Sequence, residues 1–417
     1  MKNEEKVVLP NSVSASQNEA QKYSGIHCSD DSVPDSECIS FPEAIEGEKE
    51  GISCEHNQPI KAEKSEEEHN QSDVGFSGLQ WPFAFLGFSK VGESHIKRGV
   101  ECQDKSKIEV IEKDNKKSII LAIADGLGSC EHSDVGAEIA TRSAVETIAD
   151  SLSTSSKQLE EIAIETIKTA MNKAYELVEL EAERYSESSD LYCSTLTVVL
   201  FDGNTLYIGH AGDDGVVALS NRGYYALVTA RHKGDEINSV FPLQSKTTWE
   251  FLKVRDIMGV VLATDGVLDS LVRSESEDWR VFFPILQPLI TRDKSDEEKV
   301  RELKNDYIRY MDSDSYRSIV SDDITFLAAI NVEASKIVQF KEFSVDDWVK
   351  KTKQYGMEYY KKLYPEEAIP DNIVGRGVLR DQKLLEGIPS AHDNSELQKY
   401  FSNNIDITPE GEKENEI

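Results

Sequence analysis

Two short apolar runs, each cut off by an acid–glycine step, constrain this chain most strongly. Ile119-Ile120-Leu121-Ala122-Ile123-Ala124 stops at Asp125-Gly126, and Met258-Gly259-Val260-Val261-Leu262-Ala263 stops, after Thr264, at Asp265-Gly266. Runs of this length without polar interruption suit buried strands. A further strand, Ile324-Thr325-Phe326-Leu327-Ala328-Ala329-Ile330, has two acids, Asp322 and Asp323, just ahead of it. Helical periodicity separates the first run from the rest. Ser133 and Asp134 are expected to cap a helix whose Ala140, Ala144, Ile148 and Leu152 recur every fourth residue. Leu159, Ile162, Ile167, Met171, Ala174 and Val178 mark a second helix. Thr195–Phe201 and Thr205–Ile208 flank Asp202-Gly203-Asn204 as a hairpin, and Asp214-Gly215 reads as another turn before Val216–Leu219. Strand runs beside a separate helical pair predict an α+β fold with sheets packed between helices.

The folded part is expected over 81–335, opening at Trp81-Pro82-Phe83-Ala84-Phe85-Leu86. Residues 1–80 carry seventeen Asp and Glu against six Lys, with apolar residues spread singly, and are expected to form a disordered acidic arm. Residues 336–417 are expected to form a C-terminal extension. It would hold one helix at about 344–363, capped by Ser344 with Trp348, Thr352, Tyr355, Tyr359 and Leu363 on one face, and then a polar tail.

The whole chain has 46 Lys and Arg against 77 Asp and Glu, a net charge of −31. That field repels nucleic acid and anionic membrane surfaces, so neither is an expected partner. The opening residues hold only Val7, Val8 and Leu9 as an apolar run, too short for a signal sequence core. The six cysteines, at 28, 38, 54, 102, 130 and 193, form no CxxC pair. A reducing, cytoplasmic setting with ordinary thiols is therefore expected.

Four acids stand out by position: Asp104 after Cys102-Gln103, Asp125 and Asp265 at the ends of buried strands, and Asp322 ahead of another. Carboxylates gathered at one end of a sheet repel one another and lose hydration. Hard divalent cations relieve that penalty, which points to Mg²⁺ or Mn²⁺. Taken singly, an Asp-Gly pair is more often a turn, as Asp202-Gly203 shows; the weight lies in the set. Competing chemistries fit less well. There is no GxxxxGK[ST] loop, no HExxH and no Gly-x-Ser-x-Gly elbow, and Glu131 occupies the third glycine position of a dinucleotide fingerprint begun by Gly126-Leu127-Gly128.

The order of these pieces resembles the metal-dependent serine/threonine protein phosphatases of the 2C type, and most closely their compact bacterial branch. The resemblance rests on the stretch from Gly92 to Asp104, then Ala124-Asp125-Gly126-Leu127-Gly128, Cys193-Ser194-Thr195-Leu196, Gly209-His210-Ala211-Gly212-Asp213-Asp214, Ala263-Thr264-Asp265-Gly266-Val267 and Ser321-Asp322-Asp323-Ile324-Thr325. It implies that 81–335 is a phosphatase domain: a central antiparallel β-sandwich flanked by helix pairs, in α-β-β-α layers, with two Mn²⁺ or Mg²⁺ ions at one end. Asp104, Asp125, Asp265 and Asp322 then hold the metals, with the backbone carbonyl of Gly126. Asp190 stands where a third, weaker metal is held, and Arg98 is the candidate phosphate-gripping arginine. The implied reaction is attack on phosphorus by a metal-activated water without a covalent enzyme intermediate. The implied partners are a phosphoprotein substrate and a cognate Ser/Thr kinase. Leu127 stands where many members carry a histidine after the Asp-Gly pair, which leaves His132 as the nearest replacement. Asp214 replaces the serine of the usual Gly-Asp-Ser turn.

Three functions remain open at this stage. The first is hydrolysis of phosphoserine and phosphothreonine in proteins. The second is a catalytically weak or inactive member of the fold that acts as a binding or regulatory module. The third is a phosphohydrolase for small phosphate esters, for which no dedicated pocket signal is present.

Overall fold

The computed structural model describes residues 74–232, 240–271, 279–290, 292–311, 320–338, 357, 361, 364–366, 368 and 404–407. In chain order the elements are β1 (Val74–Gln80), β2 (Phe83–Lys90), α1 (Glu93–Arg98), β3 (Lys105–Lys113), β4 (Lys116–Ala124), α2 (Ser133–Thr154), α3 (Leu159–Tyr185), β5 (Leu196–Phe201), β6 (Thr205–Ala211), β7 (Gly215–Ser220) and β8 (Tyr225–Leu227). There follow β9 (Glu250–Arg255), β10 (Ile257–Ala263), α4 (Asp265–Leu271), α5 (Phe283–Ile290), α6 (Glu297–Met311), β11 (Ile324–Asn331), α7 (Val332–Ser335) and β12 (Ile405–Ile407).

Two six-stranded antiparallel sheets result, with strand orders β1-β2-β11-β10-β7-β8 and β12-β9-β6-β5-β4-β3. Each strand divides its side chains between two cores. On β4, Ile119, Leu121 and Ile123 enter the layer between the sheets, where they join Phe83, Phe201, Val260, Leu262 and Leu327. Ile120 and Ala122 point the other way, onto Ala140, Ala144, Ile148 and Leu152 of α2 and Ile167, Met171 and Ala174 of α3. The outer face of the first sheet is covered in the same manner, Phe88, Phe326 and Ala328 packing with Leu268 of α4 and Leu286 and Leu289 of α5. Burial on both faces explains why these strands are apolar throughout rather than alternating. The layers are therefore α-β-β-α, as the sequence predicts. Among the described residues, no helix is long and apolar enough to cross a membrane.

Several local expectations need correction. Val74–Gln80, within the stretch expected to be a disordered arm, pairs along its full length with β2 as an edge strand; residues 1–73 lie outside the described residues. The N-cap of α2 is His132, not Ser133, whose hydroxyl instead accepts from Gln103 Nε2 at 2.8 Å. Asp214-Gly215 is not a hairpin turn, because β6 and β7 lie in different sheets and the chain crosses the sandwich there. The helix expected at about 344–363 falls almost wholly outside the described residues. In the C-terminal extension, Ile405–Ile407 adds an edge strand to β9, and Arg255 pairs with Asp406 at 2.6 Å.

Leu121 is fully buried between the sheets. Leu121→Ala is expected to lower unfolding stability by about 2–5 kcal/mol, the range for a large-to-small change in a close-packed core. Urea unfolding followed by circular dichroism measures it, and a loss below about 1 kcal/mol would mean that the layer repacks freely.

Candidate metal centre

Register brings the acids together. β3 and β4 pair so that Lys105 faces Ala124, which sets Asp104 and Asp125 at neighbouring strand ends. In the other sheet Ala263 faces Phe326 across β10 and β11 and Gly215 across β7, so Asp265, the Asp322–Asp323 pair and Asp214 leave from the same end. Close backbone packing holds this end shut. A Cβ on Gly266 would sit 2.0 Å from the Asp323 carbonyl oxygen, and one on Gly126 would sit 2.9 Å from those of Gln103 and Ser133. Glycine is required at both positions.

The electrostatics report the convergence. Burial first, and then the charges of Asp104, Asp265, Asp322 and Asp214, hold the Asp125 carboxyl well above the usual range. Burial, with Asp323 and Asp322, does the same to Asp104, against a hydrogen bond from Thr264 Oγ1 at 2.9 Å. Asp322, at the solvent mouth, is also raised by desolvation and by Asp323, with the Asp323 N–H, His95 and Arg98 opposing. Asp214 is fully buried and raised by that burial. Its Oδ2 accepts from Thr195 at 2.7 Å and lies 3.3 Å from the Thr197 hydroxyl, while its Oδ1 is buried without a hydrogen-bond partner. Oxygen donors under mutual repulsion, one of them unsatisfied, are a set that hard divalent cations fit. Among the described residues, three metal-capable side chains close to within 4.8 Å of one another only at His210, His232 and Glu250, so no three of these Asp carboxylates meet that closely.

Two residues at this end escaped the reading of the sequence. The Asp323 carboxylate accepts from the backbone N–H of Gly92 (2.6 Å) and Gln103 (2.6 Å) and meets His95 Nδ1 at 2.8 Å. The doubled acid before β11 was the available signal, but nothing local says that one points inward and the other outward. Asp214 was hidden because a buried carboxylate and a turn carboxylate look alike before tertiary packing is known.

The remaining candidates lie around this core. Arg98, exposed at the end of α1, donates from Nε to the Ser94 carbonyl at 3.3 Å, and its charge acts on Asp322. Gly126 bridges to Ser194, and Thr195 N donates to the Asp125 carbonyl at 2.8 Å. Asp190 sits on an exposed 3₁₀ turn, where it accepts from Ser188 Oγ at 3.2 Å, and it is not one of the acids acting most on Asp125. His132 lies 3.4 Å from Glu187, with its ring tilted 41° against that of Tyr192. Cys130 departs from the ordinary thiol expected, since a hydrogen bond from Cys193 pulls its pKa down and pushes that of Cys193 up. Burial pushes Cys102 up.

The raised acids fix the sign of a pH effect. Where a folded carboxyl pKa lies above its unfolded value, the folded state holds more protons between the two, so stability falls as pH rises through that window. His95, raised by its bond to Asp323, contributes in the same direction. In the presence of chelator, the urea midpoint is therefore expected to rise as pH is lowered from about 8 toward about 5. A midpoint that falls over this range would contradict the repulsion described.

A family model for protein phosphatase 2C matches residues 91–305, just over half of the chain. No curated protein matches. Among solved structures, a serine-threonine phosphatase 2C from Toxoplasma gondii aligns over 62% of this chain and 98% of its own, at 14% identity and a TM-score of 0.44. A bacterial serine phosphatase aligns over 62% and 99%, at 12% identity and a TM-score of 0.43. The serine/threonine phosphatase of Staphylococcus aureus aligns over 61% and 96%, at 13% identity and a TM-score of 0.40. The six signature stretches in order and the extent of the family match lead to one conclusion: this chain belongs to the protein phosphatase 2C family, the serine/threonine protein phosphatases.

Proposed function

We propose that the chain hydrolyses phosphoserine and phosphothreonine in proteins at a binuclear Mn²⁺ or Mg²⁺ centre held by Asp104, Asp125, Asp265 and Asp322, with the carbonyl of Gly126. The observation that carries this reading is the burial, and after it the carboxylate repulsion, that raises Asp104, Asp125 and Asp322, a cost that bound cations or protons relieve. Bound there, such cations supply Lewis-acid activation of water for attack on phosphorus. The side chains around them set the geometry. Thr264 fixes one oxygen of Asp104, and Thr195 fixes one oxygen of Asp214. Asp323 is a positioning residue, tying Gly92 and Gln103 to the head of β11. Arg98, exposed beside Asp322, offers its guanidinium to the phosphate oxygens as a second anion-stabilising charge. Asp190 is the proposed holder of a third, weaker ion. The physiological partners in this reading are a phosphoprotein and its Ser/Thr kinase, in a reducing, cytoplasmic setting.

The deciding experiment is phosphate release from a phosphothreonine peptide with Mn²⁺, Mg²⁺ or chelator. Release is expected only with metal, and Asp265→Asn is expected to reduce it by more than about 100-fold, beyond the ~10–100-fold of an outer-shell change. Folded protein that releases nothing with any metal would favour the inactive binding module instead. Arg98→Ala is expected to lower kcat/KM roughly 10–100-fold, from about 1.5–3 kcal/mol for a hydrogen bond to a charged group. Arg98→Lys should recover part of that loss, and an unchanged kcat/KM in Arg98→Ala would remove the residue from the site.

A further inference from the structure

One threonine hydroxyl away from Asp214, two histidines and a glutamate meet on the inner face of β6 and β9, the face that carries Ile208 and Leu252 into the layer between the sheets. His210 and Glu250 stand directly opposite each other in the β6–β9 register. The chain leaving β8 comes back to this point, His232 N donating to the Gly212 carbonyl at 2.9 Å. His232 Nε2 then lies 3.4 Å from Glu250 Oε2, and its ring centroid is 5.6 Å from that of His210 at an interplanar angle of 31°. One ligand atom from each of the three lies within 4.8 Å of the others. His210 is fully buried. His232 Nε2 is sealed from solvent, and its approach to Glu250 lacks hydrogen-bond geometry.

We propose that His210, His232 and Glu250 form a site for Zn²⁺, separate from the acidic centre. The donor set disfavours the hard ions of the acidic centre. Two imidazole nitrogens and one carboxylate are a combination that zinc takes, whereas Mg²⁺ and Mn²⁺ prefer oxygen. A tetrahedral ion with bonds of about 2.0–2.1 Å holds its ligand atoms about 3.3–3.4 Å apart. His232 and Glu250 already stand at that separation, at 3.4 Å, and only His210 has to close in.

The hydrogen bonds of His210 show how it can. Its Nε2 lies 2.8 Å from the Ala230 carbonyl, which can only accept, so Nε2 carries the proton and Nδ1 accepts from Thr197 Oγ1 at 2.8 Å. Ligation through Nε2 exchanges the carbonyl for the metal and moves that proton to Nδ1, which then donates to Thr197. The Thr197 hydroxyl is released to donate to Asp214 Oδ2, 3.3 Å away. No net proton is gained or lost by His210, and its other ring nitrogen ends on a hydrogen-bond acceptor, the usual support of a metal-bound histidine. Burial, moreover, keeps His210 well below the ordinary histidine range, and therefore neutral. The site would clamp residues 230–232 to β6 and β9. Arg231, between two of the clamped residues, donates to the Asp213 carbonyl at 3.0 Å and pairs with Asp269 of α4 at 2.5 Å, the helix that begins at Asp265.

The test uses tag-free full-length protein, stripped with chelator and titrated with ZnCl₂ in excess Mg²⁺, with bound metal counted by elemental analysis. One zinc per chain is expected, retained in Asp265→Asn and weakened more than about 100-fold in both His232→Ala and Glu250→Gln, each shown folded by circular dichroism. Replacement of zinc by Co²⁺ should give the strong visible bands of a four-coordinate site, lost in His232→Ala. Zinc lost in Asp265→Asn but kept in the other two variants would place it among the acids and overturn the proposal. So would zinc binding unaffected by any of the three changes, or none at all in the wild type.

Discussion

The Asp323 carboxylate is the interaction on which the rest of the site depends. It is 3% exposed and takes hydrogen bonds from two backbone amides, of Gly92 and Gln103, and a contact from the His95 ring. A charge buried without such donors costs several kcal/mol, and removing one side of a buried pair costs about 3–5 kcal/mol. These bonds join three places distant in sequence: the turn after β2, the step into β3 and the head of β11. Asp104 follows Gln103 and Asp322 precedes Asp323, so one buried acid sets the backbone on both sides of the candidate metal centre. An apolar side chain there would leave the two amides unsatisfied and those two acids without a fixed frame.

Around that anchor the sandwich supplies rigidity. Because each sheet is covered by helices outside and by the other sheet inside, the strands are held on both faces and their ends have little freedom. The cost of crowding carboxylates at one end is thus borne by a core that cannot spread to relieve it. Groups under such pressure favour any state that brings in positive charge. Protons and divalent cations therefore compete for the same oxygens, and the pH dependence of the metal-free protein and its affinity for metal have one origin.

Much of this was legible from residue order. The unbroken apolar runs were readable as buried strands because burial on two faces leaves no polar position. The stripes on α2 and α3 matched the residues that face β4 and β5, except Val178, which packs with Ile139 and Tyr192. Acids at the ends of buried runs marked one end of the sandwich, since a strand that ends in a carboxylate must place it at the sheet's edge in water or against a cation. Errors arose where a local pattern has two solutions. Asp214-Gly215 has the composition of a turn, yet the chain crosses between sheets there and Asp214 is buried under Thr195 and Thr197. Ser133 has the composition of a cap, yet Gln103 claims its hydroxyl.

Periodicity, strand-end acids and the order of the motif stretches determined the layer architecture, the family and the four candidate metal-holding aspartates, because each is a property of short stretches read in sequence. Only the tertiary structure decided which of Asp322 and Asp323 points inward, that Asp214 joins the acids, and that His210, His232 and Glu250 meet. Those three residues span 41 positions of chain. Their juxtaposition depends on strand register and on the return of one loop, and register is settled by packing across the sheet rather than by any residue's neighbours.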